Sequence, residues 1–200
     1  RENFTEKMDS IFTSKPTSDY SYYGFKIHEI LEMELAGMGQ YAHGNQPIQH
    51  AIYLYNYAQQ PWKTQEKVRY VMDNLYGEGA DGYCGDEDNG QTSAWFVFSS
   101  LGFYPVAPVT GQYILGSPLF KEVEIDLNNG KTLRINAKNN SVNNIFIDSF
   151  KFNQLESNKN WIDHKDLRNG GVVDFEMSNA PNLDWGSAIN SVPFSMTKIK

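Results

Sequence analysis

The sequence predicts an α+β fold, with helices in the first half of the chain and an antiparallel β module in the second. Three observations carry this prediction. Apolar residues recur at spacings near four up to Pro105, and they alternate with a period of two beyond it. No internal repeat or low-complexity linker separates the halves, so the expected division is a helical part over residues 1–104 and a β-rich part over 105–200.

The helices follow in order. Ile27, Ile30, Leu31, Leu35 and Met38 share one helical face, and Gly37 and Gly39 stop the run. Asn45 is a good N-cap and Pro47 is tolerated in a first turn, so a second helix is expected through Ile48, Ile52 and Tyr55. Thr64 is expected to cap a third, which buries Val68, Val71, Met72 and Leu75 and ends at Gly77. A fourth runs from Ser93 to Leu101 and is stopped by Gly102 and Pro105.

The strands are read from alternation. Val123, Ile125 and Leu127 alternate with Glu122, Glu124 and Asp126; the turn Asn128-Asn129-Gly130 follows, and Leu133, Ile135 and Ala137 alternate again. That is a hairpin with one buried face. Ile145, Ile147 and Phe150 mark a further strand, and Gly170-Gly171 precedes another over Val172–Met177.

Composition narrows the function. With 200 residues and 40% hydrophobic content the chain can bury a core. Its net charge of -7 has no Lys/Arg cluster, so nucleic acid is excluded as an expected partner. Cys84 is the only cysteine and is read as a buried free thiol. No apolar run approaches the roughly 20 residues that span a bilayer, and the first residues lack a signal-peptide core, so any export signal is expected outside this chain. Aromatics make up 14%, which suits both the stacking of sugars and a well-packed aromatic core.

The residues richest in chemistry are Gly85-Asp86-Glu87-Asp88-Asn89-Gly90, a Gly-bracketed acidic loop before an aromatic helix. Crowded carboxylates repel unless a cation, a proton or donors compensate. His28-Glu29 with Glu32, the segment His43–His50 and Trp62 supply further polar and aromatic groups near helix ends. The set is rich in oxygen and poor in thiol, which suits a hard cation. It is no EF-hand, because Gly90 occupies the third ligand position, and His43 and His50 are seven apart rather than the four of a helical zinc pair. His164 is read as an ordinary surface or core histidine. Paired carboxylates are also the machinery of glycoside hydrolysis, in which Asp86 and Asp88, side by side, would form one pole. From spacing alone the loop reads equally well as a solvated acidic turn.

Longer stretches carry a resemblance. Gly82-Tyr83-Cys84-Gly85-Asp86-Glu87-Asp88-Asn89-Gly90-Gln91-Thr92-Ser93-Ala94-Trp95, continuing through Leu101-Gly102-Phe103-Tyr104-Pro105 to Gly116-Ser117-Pro118-Leu119-Phe120, resembles the signature of glycoside hydrolase family 92. His43-Gly44-Asn45-Gln46-Pro47-Ile48-Gln49-His50, with Tyr53–Tyr57 and Gln60–Gln65, is a second match, and Gly170–Asn182 is similar to the family's carboxy-terminal end.

The resemblance implies calcium-dependent, inverting exo-α-mannosidase activity on mannose-containing glycans. It implies that the helices are the last ones of an (α/α)6 toroid, followed by the β module. It also implies that an amino-terminal part of the same protein, holding a glutamate as general acid, lies upstream of Arg1. On this reading Asp86 and Asp88 are the base-side aspartates, and His28 and Glu29 recognise the leaving mannose of an α-1,2 linkage. Glu32, Gln49 and Asp88 are the expected Ca2+ ligands. Trp62 is the expected sugar-stacking residue and Trp95, inside a helix, is expected in the core. The family habit implies a secreted, periplasmic or cell-surface protein. The alternative from another class is a mannose-glycan binding module, or a fragment that binds without turnover.

Overall fold

Helices occupy the chain up to Ser100 and most strands follow from Phe103 in the computed structural model, which describes residues 2–16 and 19–196. Two units are distinguished: Arg1–Ala51 with Tyr70–Phe96, and Ile52–Arg69 with Val97–Lys200.

The first unit begins with a helix that the sequence reading did not anticipate, α1 (Glu2–Thr13). Phe4, Met8 and Phe12 recur at intervals of four, and Met8 is buried. The end of α1 meets the turn at Gly39, where a Cβ would lie 2.5 Å from the Phe12 carbonyl carbon. Gln40 N–H donates to Ile11 O there at 2.7 Å. Helix α2 (His28–Ala36) ends as expected at Gly37, which takes the left-handed φ of 64°. Its apolar face is unevenly covered: Ile30 and Ala36 are buried, whereas Leu31 is 45% and Leu35 84% exposed. Periodicity identifies an apolar stripe and says nothing of what covers it.

The next helix is also a correction. Gln46–Tyr53 is a 3-10 helix, with Ile48 N–H bonded three residues back to Asn45 O, and only Leu54–Tyr57 (α3) is α-helical. Helix α4 (Pro61–Asn74) starts before the expected cap, with proline at its first position, where a missing N–H costs nothing. Thr64 is therefore internal, and its hydroxyl donates to Ile52 O at 2.9 Å. Helix α5 (Gln91–Ser100) stops at Gly102, whose φ is 97°.

The second unit carries two sheets. One is antiparallel and formed by β1 (Phe103–Tyr104), β2 (Gln112–Leu115) and β7 (Trp161–Asp163). The other contains β3 (Glu122–Asp126), β4 (Thr132–Lys138), β5 (Phe146–Phe152), β6 (Leu155–Glu156) and β8 (Gly171–Ser178), in the order β3-β4-β8-β5-β6. A short helix, α6 (His164–Arg168), precedes β8. The β3–β4 hairpin has the expected register, with Val123 opposite Ile135 and Ile125 opposite Leu133. The module is antiparallel but for one pair: β8 runs parallel to β4. Hairpin signals report only neighbours in sequence, and β8 returns to the middle of the sheet after a long crossover.

Leu133, Ile135, Ala137, Ile147, Phe150, Val173, Phe175 and Met177 are buried in one core cluster. Ile147 and Phe150 are three apart, which strict alternation would place on opposite faces. A bulge resolves this: Ile147 pairs with Met177 and Ser149 with Glu176, so Asp148 is the extra residue.

Candidate active site

The acidic loop is built as a backward turn into α5. Asp88, Asn89 and Gly90 take φ values of 52°, 56° and 96° in succession. Such conformations are unfavourable for residues with side chains and persist where surrounding bonds hold them. Glu87 supplies those bonds. Its Oε2 accepts Gly90 N–H at 2.7 Å, and its Oε1 accepts the Ser93 hydroxyl at 2.6 Å. The Ser93 hydroxyl, followed by the Gly90 N–H, holds the Glu87 carboxyl below its ordinary range. Glu87 thus turns back onto the start of α5, while Asp86 and Asp88 remain exposed.

Asp86 is fixed through its main chain. Its carbonyl accepts from Gln46 Nε2 at 2.5 Å and from the Thr92 hydroxyl at 2.9 Å. Its carboxylate reaches outwards to His28, with Oδ2 3.7 Å from Nε2, and the same Nε2 lies 3.4 Å from Glu29 Oε1.

Glu32 follows His28 by one helical turn and so shares its face of α2. Its carboxylate lies where the backbones of Gly44 and Gly85 meet. A Cβ on Gly44 would be 2.7 Å from Glu32 Oε2, and one on Gly85 would be 2.5 Å from Gly44 Cα and 2.8 Å from Glu32 Oε1. Space, not backbone torsion, demands both glycines. Burial raises the Glu32 carboxyl above its ordinary value; His28 opposes this, and the charges of Asp86 and Glu29 add to it.

The buried side of the site is a hydroxyl, imidazole and amide network. Tyr76 donates its proton to Thr92 O at 3.1 Å, so it accepts from His43 Nε2–H at 2.8 Å. His43 Nδ1 then accepts the Tyr41 hydroxyl at 2.7 Å. Burial lowers the imidazole to about 3, and His43 is a neutral structural residue. The Trp95 ring is fully buried, 4.3 Å from that of His43, and its indole N–H donates to Gln49 O. Trp95 is core, as expected.

Asp86, Asp88, His28, Glu29, Glu32 and Gln49 all fall in the first unit. Trp62 is half-buried in the first turn of α4 and falls in the second. Gln49 is fully buried; its Nε2 donates to His43 O and the Thr92 hydroxyl, and its Oε1 accepts from Gln91 Nε2 at 3.3 Å. The parts that sequence reasoning did not assign are Gln46 and Thr92, which grip Asp86, and Glu87, which clamps the loop. All three stand inside the motifs quoted above; which acid turns inward is decided by bonds that only the fold reveals.

For a hard cation, Glu32 and Asp88 offer carboxylates and Gln49 an amide oxygen, a donor chemistry that fits calcium. Among the described residues no group of three or more His, Cys, Asp or Glu side chains forms a metal cluster by itself. Cys84 is free and half-buried, and burial pushes its thiol up to about 11, which disfavours the reactive thiolate. His164 is exposed at the surface, 3.1 Å from the Tyr113 hydroxyl.

Solved structures similar to this chain are family 92 mannosidases. An inverting family 92 mannosidase from Bacteroides thetaiotaomicron is 49% identical with a TM-score of 0.81, over 97% of this chain and 26% of that one. A family 92 α-mannosidase from the same species, in complex with mannoimidazole, is 34% identical with a TM-score of 0.87, over 98% of this chain and 25% of that one. An uncharacterized secreted glycosidase of Arthroderma benhamiae is 28% identical over 156 residues, 76% of this chain and 20% of its own length. The chain therefore spans about a quarter or less of the length of these relatives. The model of the glycosyl hydrolase family 92 catalytic domain matches residues 1–179, and the chain belongs to that family.

Proposed function

We propose that this chain is part of an inverting exo-α-mannosidase that removes terminal α-1,2-linked mannose from glycans and depends on calcium. The observation that carries the reading is Asp86: its main chain is anchored by Gln46 and Thr92, and its exposed carboxylate is turned towards His28. Asp86 and Asp88 act on the base side, orienting water and removing its proton. Inversion requires a second carboxyl across the scissile bond, at ~6.5–9.5 Å, to protonate the leaving oxygen. That acid is proposed to be a glutamate outside these 200 residues. His28 and Glu29 recognise the leaving mannose, and Trp62 contributes an aromatic face. Glu32, Gln49 and Asp88 hold calcium, which when bound supplies a Lewis acid for sugar hydroxyls.

Support comes from the inverting mannosidase at 49% identity and from the relative that binds mannoimidazole. On this reading residues 1–104 are part of a helical catalytic domain and 105–200 a β-rich module. A secreted, periplasmic or surface location is supported by the secreted relative. No helix among the described residues is long and apolar enough to cross a membrane.

The test is hydrolysis of α-1,2-, α-1,3- and α-1,6-linked mannobiose by the intact enzyme containing this chain, followed by NMR. The expected result is β-mannose as first product, preference for the α-1,2 linkage, loss of activity with a chelator and recovery with calcium. Release of α-mannose would overturn inversion, and full activity in chelator would overturn the calcium assignment. Mannose binding without hydrolysis by the intact protein would favour the binding-module reading.

A further inference from the structure

We propose that Thr92 is a positioning residue for the hydrolytic reaction, setting the place of Asp86 without touching substrate. The inference rests on the assignment of Asp86 to the base side. Thr92 is fully buried, so a direct role with substrate is excluded by its position. A hydroxyl offers one proton and two lone pairs, and the surroundings of Thr92 use all three. The proton goes to Asp86 O at 2.9 Å, and the oxygen accepts from Gln46 Nε2 and Gln49 Nε2, both at 3.2 Å. Its main chain is held as well: Thr92 N–H donates to Glu87 O, and Thr92 O accepts the Tyr76 hydroxyl.

One side chain thus ties the acidic loop to the Gln46–Gln49 segment. Gln46 reaches both Asp86 O and the Thr92 hydroxyl, which closes a small ring of bonds around the Asp86 carbonyl. Removing the hydroxyl opens that ring and leaves two amide N–H groups without this acceptor. The Asp86 carboxylate then rests on a carbonyl held by Gln46 alone. A displacement on the order of 1 Å at a catalytic group costs about 100-fold in rate.

The experiment uses the intact enzyme with Thr92→Val, which keeps the shape and removes the hydroxyl, and Thr92→Ser, which keeps the hydroxyl. Thr92→Ala, with no added methyl facing the two amides, serves if the valine variant does not fold, and melting temperature is recorded for each. The expected result is a roughly 10- to 100-fold lower kcat for Val or Ala with KM within about threefold. Thr92→Ser is expected to recover most of the loss. Parental kcat in the folded Val or Ala variant would overturn the proposal, and so would a Ser variant as slow as the valine one. Asp86→Asn is assayed in parallel. If it is slow while Thr92→Val is not, only the positioning role fails; if it turns over normally, the base assignment fails and takes this proposal with it.

Discussion

The His28 imidazole stands 3.7 Å from the Asp86 carboxylate, and the same nitrogen lies 3.4 Å from Glu29. One ring edge therefore serves both the pair assigned to the leaving sugar and an aspartate assigned to the base side. Glu29 is the cleaner probe of linkage recognition. With Glu29→Gln, kcat/KM on α-1,2-mannobiose is expected to fall roughly 10- to 100-fold, the worth of one charge-assisted contact. Hydrolysis of an aryl α-mannoside, which has no leaving sugar, is expected to stay near parental. Equal losses on both substrates would place Glu29 outside linkage recognition.

Asp88→Asn and Asp86→Asn are expected to lower turnover of the intact enzyme by ~100-fold or more, since an amide accepts no proton from water. Steady-state rates at matched protein stability check this. Two variants with parental rates would exclude both residues from the chemistry.

Gly85→Ala tests the close approach of two backbones. The added carbon would fall 2.5 Å from Gly44 Cα and 2.8 Å from Glu32 Oε1, so backbone or carboxylate must shift. Overpacking of this kind costs about 1–3 kcal/mol, and calcium affinity is expected to weaken with it if Glu32 is a ligand. Urea unfolding and calorimetric calcium titration measure the two effects, and an unchanged midpoint of unfolding would show that the contact yields without cost.

His43 makes stability dependent on pH. Its folded value, about 3, lies below the ordinary 6.5, so the unfolded chain binds the proton more readily. The resulting stabilisation is complete above 6.5 and is lost as pH falls towards 3, at about 1.4 kcal/mol for each pH unit between. Melting temperature is therefore expected to fall from pH 7 to pH 5, and the fall is expected to be shallower in His43→Gln. Parallel pH profiles for parent and variant would show that another group carries the dependence.

Much of the fold is legible in the sequence. Gly37 and Gly102 end helices where the apolar period ends, and Asn128-Asn129-Gly130 turns a hairpin with the expected register. These are local effects, fixed by a few neighbouring residues. What is not readable depends on which groups the folded backbone brings within bonding distance. Thr64 looked like a cap because its type suits one, yet its hydroxyl answers Ile52. Asp86, Glu87 and Asp88 are equivalent as a string of acids, and only the positions of Gly90 and Ser93 turn Glu87 inward. The bulge at Asp148 and the parallel neighbours β4 and β8 are likewise settled by pairing across the sheet.

The place of β8 in its sheet has a consequence for biosynthesis. Residues 171–178 emerge from the ribosome after every other strand of the sheet, yet they fill its middle, between β4 and β5. Until they arrive, β4 and β5 lack the strand that lies between them in the folded chain, and the apolar side chains of Leu133, Ile135 and Ile147 lack its cover. The sheet closes only after its last strand is translated, and a ribosome that stalls before Gly171 holds a chain with exposed edges suited to aggregation or chaperone capture.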